Sequence, residues 1–189
     1  MPQFLIPPGS AVGDRIPLSA EESHHVRNVF RLQRGAEIQL TDGTGRLFLG
    51  KIEEIGIKIV TVFLAKQLPS PTSSQKPDSG KIILWQGLLK GEKMDWLVQK
   101  TTELALTELR PFVSSRCVAR ITDRDKSSRW QRISNEAMKQ CGRTDQMKIF
   151  PPVTLDDVLS QPQEGIKILF DKKESNPLSD LHHDKNIHL

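Results

Sequence analysis

The sequence predicts an α/β protein in two parts, a small barrel-like β domain followed by an α/β domain on a largely parallel sheet. Three observations lead there. The stretch Pro69-Ser70-Pro71-Thr72-Ser73-Ser74-Gln75-Lys76-Pro77-Asp78-Ser79-Gly80 holds no apolar anchor and divides the chain as a linker. Before it, apolar residues recur mostly at every second position, the period of half-buried strands. After it, short apolar runs alternate with segments of helical period, the rhythm of a parallel sheet with covering helices. The boundaries read from this are 1–68, 69–80 and 81–189.

In the first part, Ser19 and Glu22 form a capping-box pattern that starts a short helix, with Val26, Val29 and Phe30 as its buried side. Gly35 ends that stretch. Ile38 and Leu40, then Leu47 and Leu49, alternate with polar residues on either side of Thr41-Asp42-Gly43-Thr44-Gly45, which reads as a hairpin turning at Asp42-Gly43. The run from Ile55 to Leu64 supplies one further strand.

In the second part, Ile82–Trp85 is a short strand, and Met94, Leu97, Val98, Leu104 and Ala105 form one face of a helix over residues 92–105. Leu109–Val113 is the next strand. Trp130, Ile133, Ala137, Met138 and Cys141 repeat at helix spacing, with Gly142 just past the end. Thr154-Leu155-Asp156-Asp157 opens another helix, Ile166–Phe170 reads as a buried strand, and residues 185–189 as a strand beginning. A parallel sheet needs covering helices, and none follows that last strand, which hints at an incomplete domain.

Composition narrows the class. The 189 residues are 37% hydrophobic and 26% charged, an ordinary globular balance. No apolar run approaches the roughly 18 residues of a membrane span. The start, Met1-Pro2-Gln3-Phe4, lacks a secretory pattern, and two cysteines are too few for a disulfide framework, so a cytoplasmic protein is expected. Positive charge is concentrated: residues 81–150 carry fourteen Lys and Arg against eight acidic residues, although the net charge of the chain is only +4. Such a block suits a phosphate-bearing partner, or else a solvated surface. Common alternatives lack their signatures. There is no G-x-G-x-x-G after a strand and no G-x-S-x-G elbow, and the adjacent pairs His24-His25 and His182-His183 lack metal-ligand spacing, so no metal is expected.

The candidate site residues are mostly cations. Lys93 and Lys100 fall together beside one edge of the apolar helix face, near Lys90 at the end of a strand. They are placed to meet an anion above the sheet, or they are snorkelling surface lysines. Glu136 and Gln140 share a helix face and Arg143 follows at its end, to hold a basic loop or to line a groove. Arg116 sits just after a strand, where α/β folds tend to carry function. Arg27, Arg31 and Arg34, spaced i, i+4, i+7, form one basic helix edge that fits a phosphate backbone or a soluble surface.

Taken together, the stretches resemble the RsmE family of 16S ribosomal RNA uridine-N3 methyltransferases. The residues that carry the resemblance are His25-Val26-Arg27-Asn28-Val29-Phe30-Arg31-Leu32, Lys90-Gly91-Glu92-Lys93-Met94-Asp95, Gln99–Leu104, Ser115-Arg116-Cys117, Arg129-Trp130-Gln131 and Glu136–Arg143, in order across nearly the whole chain. The resemblance implies a PUA-like N-terminal β-barrel that contacts RNA and a SPOUT-type (α/β knot) C-terminal domain that uses S-adenosylmethionine. The implied partners are 16S ribosomal RNA or the small ribosomal subunit, and a second copy in a homodimer. Arg27, Arg31, Arg34, Lys90, Lys93, Lys100, Arg116, Gln140 and Arg143 are then the RNA-binding candidates. Leu169, Phe170 and Asp171 are the cofactor-side candidates, and no catalytic proton acceptor is assigned. The sequence departs from the family pattern at Ala105, where glycine is usual. The family's Gly-Pro-Glu-Gly-Gly loop is expected directly after Leu189 and a Leu-Gly-x-Arg-Ile-Leu-Arg segment later, so the domain is expected to be incomplete at its C-terminus. The 189-residue polypeptide is then expected neither to bind the methyl donor well nor to turn over, and micromolar binding by calorimetry contradicts that. The alternative is a non-catalytic RNA-binding or ribosome-assembly protein derived from the family.

Overall fold

The computed structural model describes residues 1–70, 80–117, 126–160 and 165–170, and the backbone of 187–188. Two units are distinct: Met1–Lys76 with Asn135–Gln146, and Pro77–Ser134 with Met147–Leu189. Of the expected linker, residues 71–79 lie outside the described residues.

The first unit holds β1 (Gln3–Leu5), β2 (Arg15–Pro17), α1 (Ala20–His24), a π-helical turn (His25–Val29), β3 (Glu37–Thr41), β4 (Leu47–Ile55) and β5 (Val60–Leu68). The strands form one sheet in the order β1-β3-β4-β5-β2, antiparallel except for β1 against β3. Register shifts at Leu49/Gly50 and Ile52/Glu54 bend β4, so the expected barrel is a curled half-barrel. Period-two alternation sends Phe4, Ile38, Leu40, Ile52, Val62 and Leu64 into its core, each worth roughly 1.5–3 kcal/mol of burial. Gly50 is required where it stands: a Cβ there would lie 2.3 Å from Leu40 Cδ1.

Ser19 caps α1 as expected, accepting the Glu22 amide at 3.1 Å. The other half of the capping box is absent, because the Glu22 carboxylate turns instead to Lys139. Of the expected buried face only Val26 is buried, while Val29 and Phe30 are 58% and 49% exposed. The π turn adds a residue to that circuit and rotates both outward. The apolar run from Ile55 to Leu64 is likewise not one strand. Gly56 donates to the Ile59 carbonyl at 2.9 Å and closes a tight turn, leaving Ile57 92% exposed between β4 and β5.

The second unit holds β6 (Ile82–Gly87), α2 (Glu92–Glu103), β7 (Glu108–Val113), β8 (Lys148–Ile149), β9 (Val153–Thr154), α4 (Leu155–Ser160), β10 (Ile166–Lys167) and β11 (Ile187–His188). Helix α3 (Ser127–Cys141) contributes its first half here and its second half to the first unit. Among the described residues every strand pairing in this unit is parallel, in the order β10-β11-β6-β7-β8 with β9 also beside β7. The expected strand at the end of the chain is thus an internal one, between β10 and β6. Met94, Val98, Leu109, Trp130 and Met147 form the core.

Two expectations fail here. Leu104 is not on the buried face but 79% exposed, because α2 stops at Glu103 and Leu104 is its C-cap. Ala105 follows with φ +63°, its amide bonded to the Thr102 carbonyl and the Leu106 amide to that of Thr101. That is a Schellman cap, whose left-handed position favours glycine. Gly142 fills the same place after α3 with φ +75°. The run Ile166–Phe170 is not a buried strand either. Only Ile166 and Lys167 pair, on an edge, and Leu169 and Phe170 beyond them are 87% and 64% exposed.

Candidate nucleic-acid interface

In the second unit, the segments that leave the carboxyl ends of the parallel strands share one edge, where open α/β sheets take their ligands. After β6, Leu88 donates to the Phe112 carbonyl at 2.8 Å, and Leu88 and Leu89 pack against the core. That anchors the turn that presents Lys90, and Lys93 follows in the first turn of α2; both are exposed. After β7, the Cys117 amide donates to the Ser114 carbonyl at 3.0 Å and Arg116 projects from the turn, exposed. Hydrogen bonds from the Ser114 hydroxyl and amide lower the pKa of the Cys117 thiol. After β10 come the exposed Leu169 and Phe170, while Asp171 lies outside the described residues.

The topology therefore brings Lys90, Lys93 and Arg116 to the edge that also carries Leu169 and Phe170. Lys100 does not join them. It sits seven residues beyond Lys93, roughly 10 Å along a helix that returns toward the opposite edge. There it bonds Glu103 at 2.8 Å, which holds the Glu103 carboxyl below its ordinary pKa.

The candidates of the first unit are arranged differently from the expected helix edge. Arg27 folds back, donating to the carbonyls of Ser23 at 3.2 Å and Gly56 at 3.3 Å and also to that of Ile57. Arg31 lies beyond the helix, with φ +52°, and Arg34 lies in the loop before β3; both are exposed. Gln140 is exposed on α3. Arg143 is only 6% exposed, bonded to Asp145 at 2.8 Å, and its carbonyl accepts from Gln3 at 2.9 Å.

Lys139 is the centre of a partly buried charge cluster. Its ammonium lies 2.8 Å from Glu22 and 2.7 Å from Glu136. Burial opposes its charge, yet hydrogen bonds to Glu136 and Glu22 outweigh that and raise its pKa. Burial also pushes the Glu22 carboxyl up, offset only in part by Lys139. Glu22, His25 and Glu136 offer ligand atoms within 4.8 Å of one another, a spacing that could hold a metal ion, but Lys139 already supplies a cation to both carboxylates.

Other polar features escaped the sequence reading. Asp42 accepts from the Thr44 amide and hydroxyl and from Arg46 at 2.7 Å. Burial would raise its pKa, but those bonds win and lower it. The loop it organises docks on residues 144–146, through Gly45 to the Thr144 carbonyl, Gln146 to the Gly43 carbonyl, and Thr41 Oγ1 to the Thr144 carbonyl. In the second unit Arg110 lies over the rings of Trp85 and Phe150, at 5.2 and 4.8 Å, and bonds Glu108 at 2.7 Å.

A curled, mostly antiparallel sheet joined in one chain to a parallel α/β unit matches the plan that the resemblance implies, a PUA-like first domain followed by a SPOUT-type one. Comparison with known proteins agrees. The family model of the RNA methyltransferase domain matches residues 75–188, and that of the RNA methyltransferase PUA domain matches residues 18–64. Ribosomal RNA small subunit methyltransferase E of Bacillus subtilis is 25% identical over 167 residues, covering 87% of this chain. Its Buchnera aphidicola counterpart (from Acyrthosiphon pisum) is 29% identical over 166 residues, covering 84%. The chain spans 64% and 62% of the length of these two relatives. Among solved structures, a Legionella pneumophila protein with bound SAM superposes with a TM-score of 0.85 at 27% identity, covering 98% of this chain and 78% of that one. Ribosomal RNA small subunit methyltransferase E of Neisseria gonorrhoeae, bound to S-adenosyl methionine, gives 0.85 at 25% identity, covering 100% and 78%. The chain belongs to the RNA methyltransferase domain family, in its RsmE branch.

Proposed function

We propose that the activity this chain serves is transfer of a methyl group from S-adenosylmethionine to N3 of a uridine in 16S ribosomal RNA, in the cytoplasm and as a homodimer. The observation that carries the reading is the set of exposed cations on the ligand edge of a sheet whose family methylates RNA. In this reading residues 1–68 are the PUA-like RNA-binding domain, 69–80 the linker and 81–189 the methyltransferase domain.

N3 of uracil lies between two carbonyls, so its proton is acidic for an amide and its loss exposes a nucleophilic nitrogen. The charge then spreads onto the two flanking oxygens. In this reading the exposed Lys90, Lys93 and Arg116 hold the RNA and stabilise that charge. Bound S-adenosylmethionine would supply the electrophilic methyl group. The exposed apolar surface of Leu169 and Phe170 suits its uncharged portions, with Asp171 next in the chain. Arg31, Arg34 and Gln140 extend the RNA contacts in the first unit. Arg27, Lys100 and Arg143 are already bonded to protein groups, and in this reading their role is structural.

The test is expression of the gene that encodes this chain in a host lacking 3-methyluridine in its small-subunit RNA, with mass spectrometry of the purified RNA. The reading predicts that the modified nucleoside appears. Its absence while the protein is present on ribosomal particles overturns the methyltransferase reading and leaves a non-catalytic RNA-binding protein.

A further inference from the structure

The outer face of the first sheet carries a second cluster of cations, which linear spacing conceals. Register aligns Ile16, Val62 and Ile52 in a row buried in the core. Strand alternation turns the neighbouring row, Arg15, Phe63 and Lys51, to the opposite face. Arg34 and Gly35, in the loop before β3, close one side of this row. The result is a groove of about 550 Å³ lined by Arg15, Arg34, Lys51, Glu53 and Phe63. Three cations meet one carboxylate there. Glu53 accepts from Arg15 at 2.8 Å and holds its guanidinium 5.4 Å from the centre of the Phe63 ring. Arg34 and Lys51 are exposed and form no ion pair among the described residues. Glu37, opposite Lys51 in the register, does not line the groove.

An anion-seeking rim beside a flat cation-aromatic pair suits a ligand that is both phosphorylated and planar. We propose that this groove binds an unpaired stretch of RNA, with phosphate against Arg34 and Lys51 and a base against the Arg15–Phe63 pair. The inference rests on the RNA-binding reading above and adds to it a site that includes Arg15, Lys51 and Phe63. Single strands are favoured over duplex because stacking on an arginine plane or an aromatic ring needs a base free of its own stack.

The test is fluorescence polarisation with a labelled 12-nucleotide oligouridylate and with a blunt RNA duplex of the same length. Wild type is expected to bind the single strand more tightly. The Arg34→Glu/Lys51→Glu variant is expected to weaken that binding at least about tenfold and to lower the salt slope by about 1.4, two phosphates at 0.7 each. Both side chains are exposed, so its melting temperature should match wild type. Phe63→Leu, which keeps apolar bulk in the sheet, is expected to weaken binding about fivefold or more. A charge-matched control, Lys58→Glu/Lys66→Glu, alters exposed lysines outside the groove. The proposal is overturned if the control weakens binding as much as the groove variant, or if the duplex binds as tightly as the single strand. If wild type binds neither RNA, the broader RNA-binding reading falls with it.

Discussion

Residues 135–146 and the strand-end segments at 88–93 and 114–117 look alike in sequence in one respect: each sets Lys or Arg beside an apolar run. Folded, they are opposites. In 135–146, Lys139 sits between two carboxylates, Arg143 is buried against Asp145, and Thr144 accepts bonds from the loop after β3. In the other loops Lys90, Lys93 and Arg116 are exposed. A cation paired inside the protein has spent its charge on folding; an exposed one keeps it for a partner. Which of the two a basic residue does is decided by its long-range neighbours, so positive charge along the chain counts candidates without ranking them.

That contrast predicts separate effects on stability and on RNA binding. The largest effect should come from Lys139→Met, which strands the buried Glu22 carboxylate and should cost roughly 3 kcal/mol in denaturant unfolding at neutral pH. The loss should shrink in acid. Glu22 has a folded pKa above its unfolded value of 4.5, so the native state gains relative stability as pH falls through that window and Glu22 takes up a proton. A loss unchanged between pH 8 and pH 4 would mean that Glu22 is not the stranded charge.

Asp42→Asn comes next, at about 1 to 2 kcal/mol, since it weakens charge-assisted bonds to Thr44 and Arg46. Unlike Glu22, whose protonation favours the folded state, Asp42 favours it when ionised. The folded pKa of Asp42 lies below 3.8, so the stabilisation is present above that value and is lost as pH falls through the folded pKa. Wild type and variant should therefore converge in acid, which thermal melts at pH 7 and pH 3 would show.

A smaller effect, in the opposite direction, is expected at the end of α2. Ala105→Gly relieves a left-handed alanine and should stabilise by about 1 kcal/mol, whereas Gly142→Ala, at the matching position after α3, should destabilise by a similar amount. Equal and opposite shifts in melting temperature would confirm that both helices end in the same cap.

Much of this architecture was legible because its signals are local. The alternation of strand and helix beyond residue 81, the Ser19 cap, the hairpin at Asp42-Gly43 and Gly142 at the end of α3 all follow from spacing and turn chemistry. Misreadings occurred where one residue changes the register. The π turn at His25–Val29 moves Val29 and Phe30 to the surface, and Gly56 breaks what reads as a single apolar strand. At the candidate site, Lys90, Lys93 and Arg116 were visible from their place after strands. The partners of Lys139, Arg27 and Arg110 were not, because they are set by packing between distant segments or across strands. Arg15 and Lys51 were missed since cross-strand register, unlike helical period, leaves no mark in a single stretch of sequence.

The smallest expected change in stability belongs to the exposed loops: Lys90→Ala and Arg116→Ala should each stay within about 0.5 kcal/mol of wild type. Their effect should instead appear in RNA binding, and there the central claim is tested most directly. The slope of log affinity against log salt for a 16S RNA fragment should fall by about 1.4 to 1.8 in the Lys90→Ala/Arg116→Ala protein, because each cation removed leaves one phosphate to its counterions. An unchanged slope in a variant that folds as stably as wild type would contradict the claim that this edge of the sheet grips RNA.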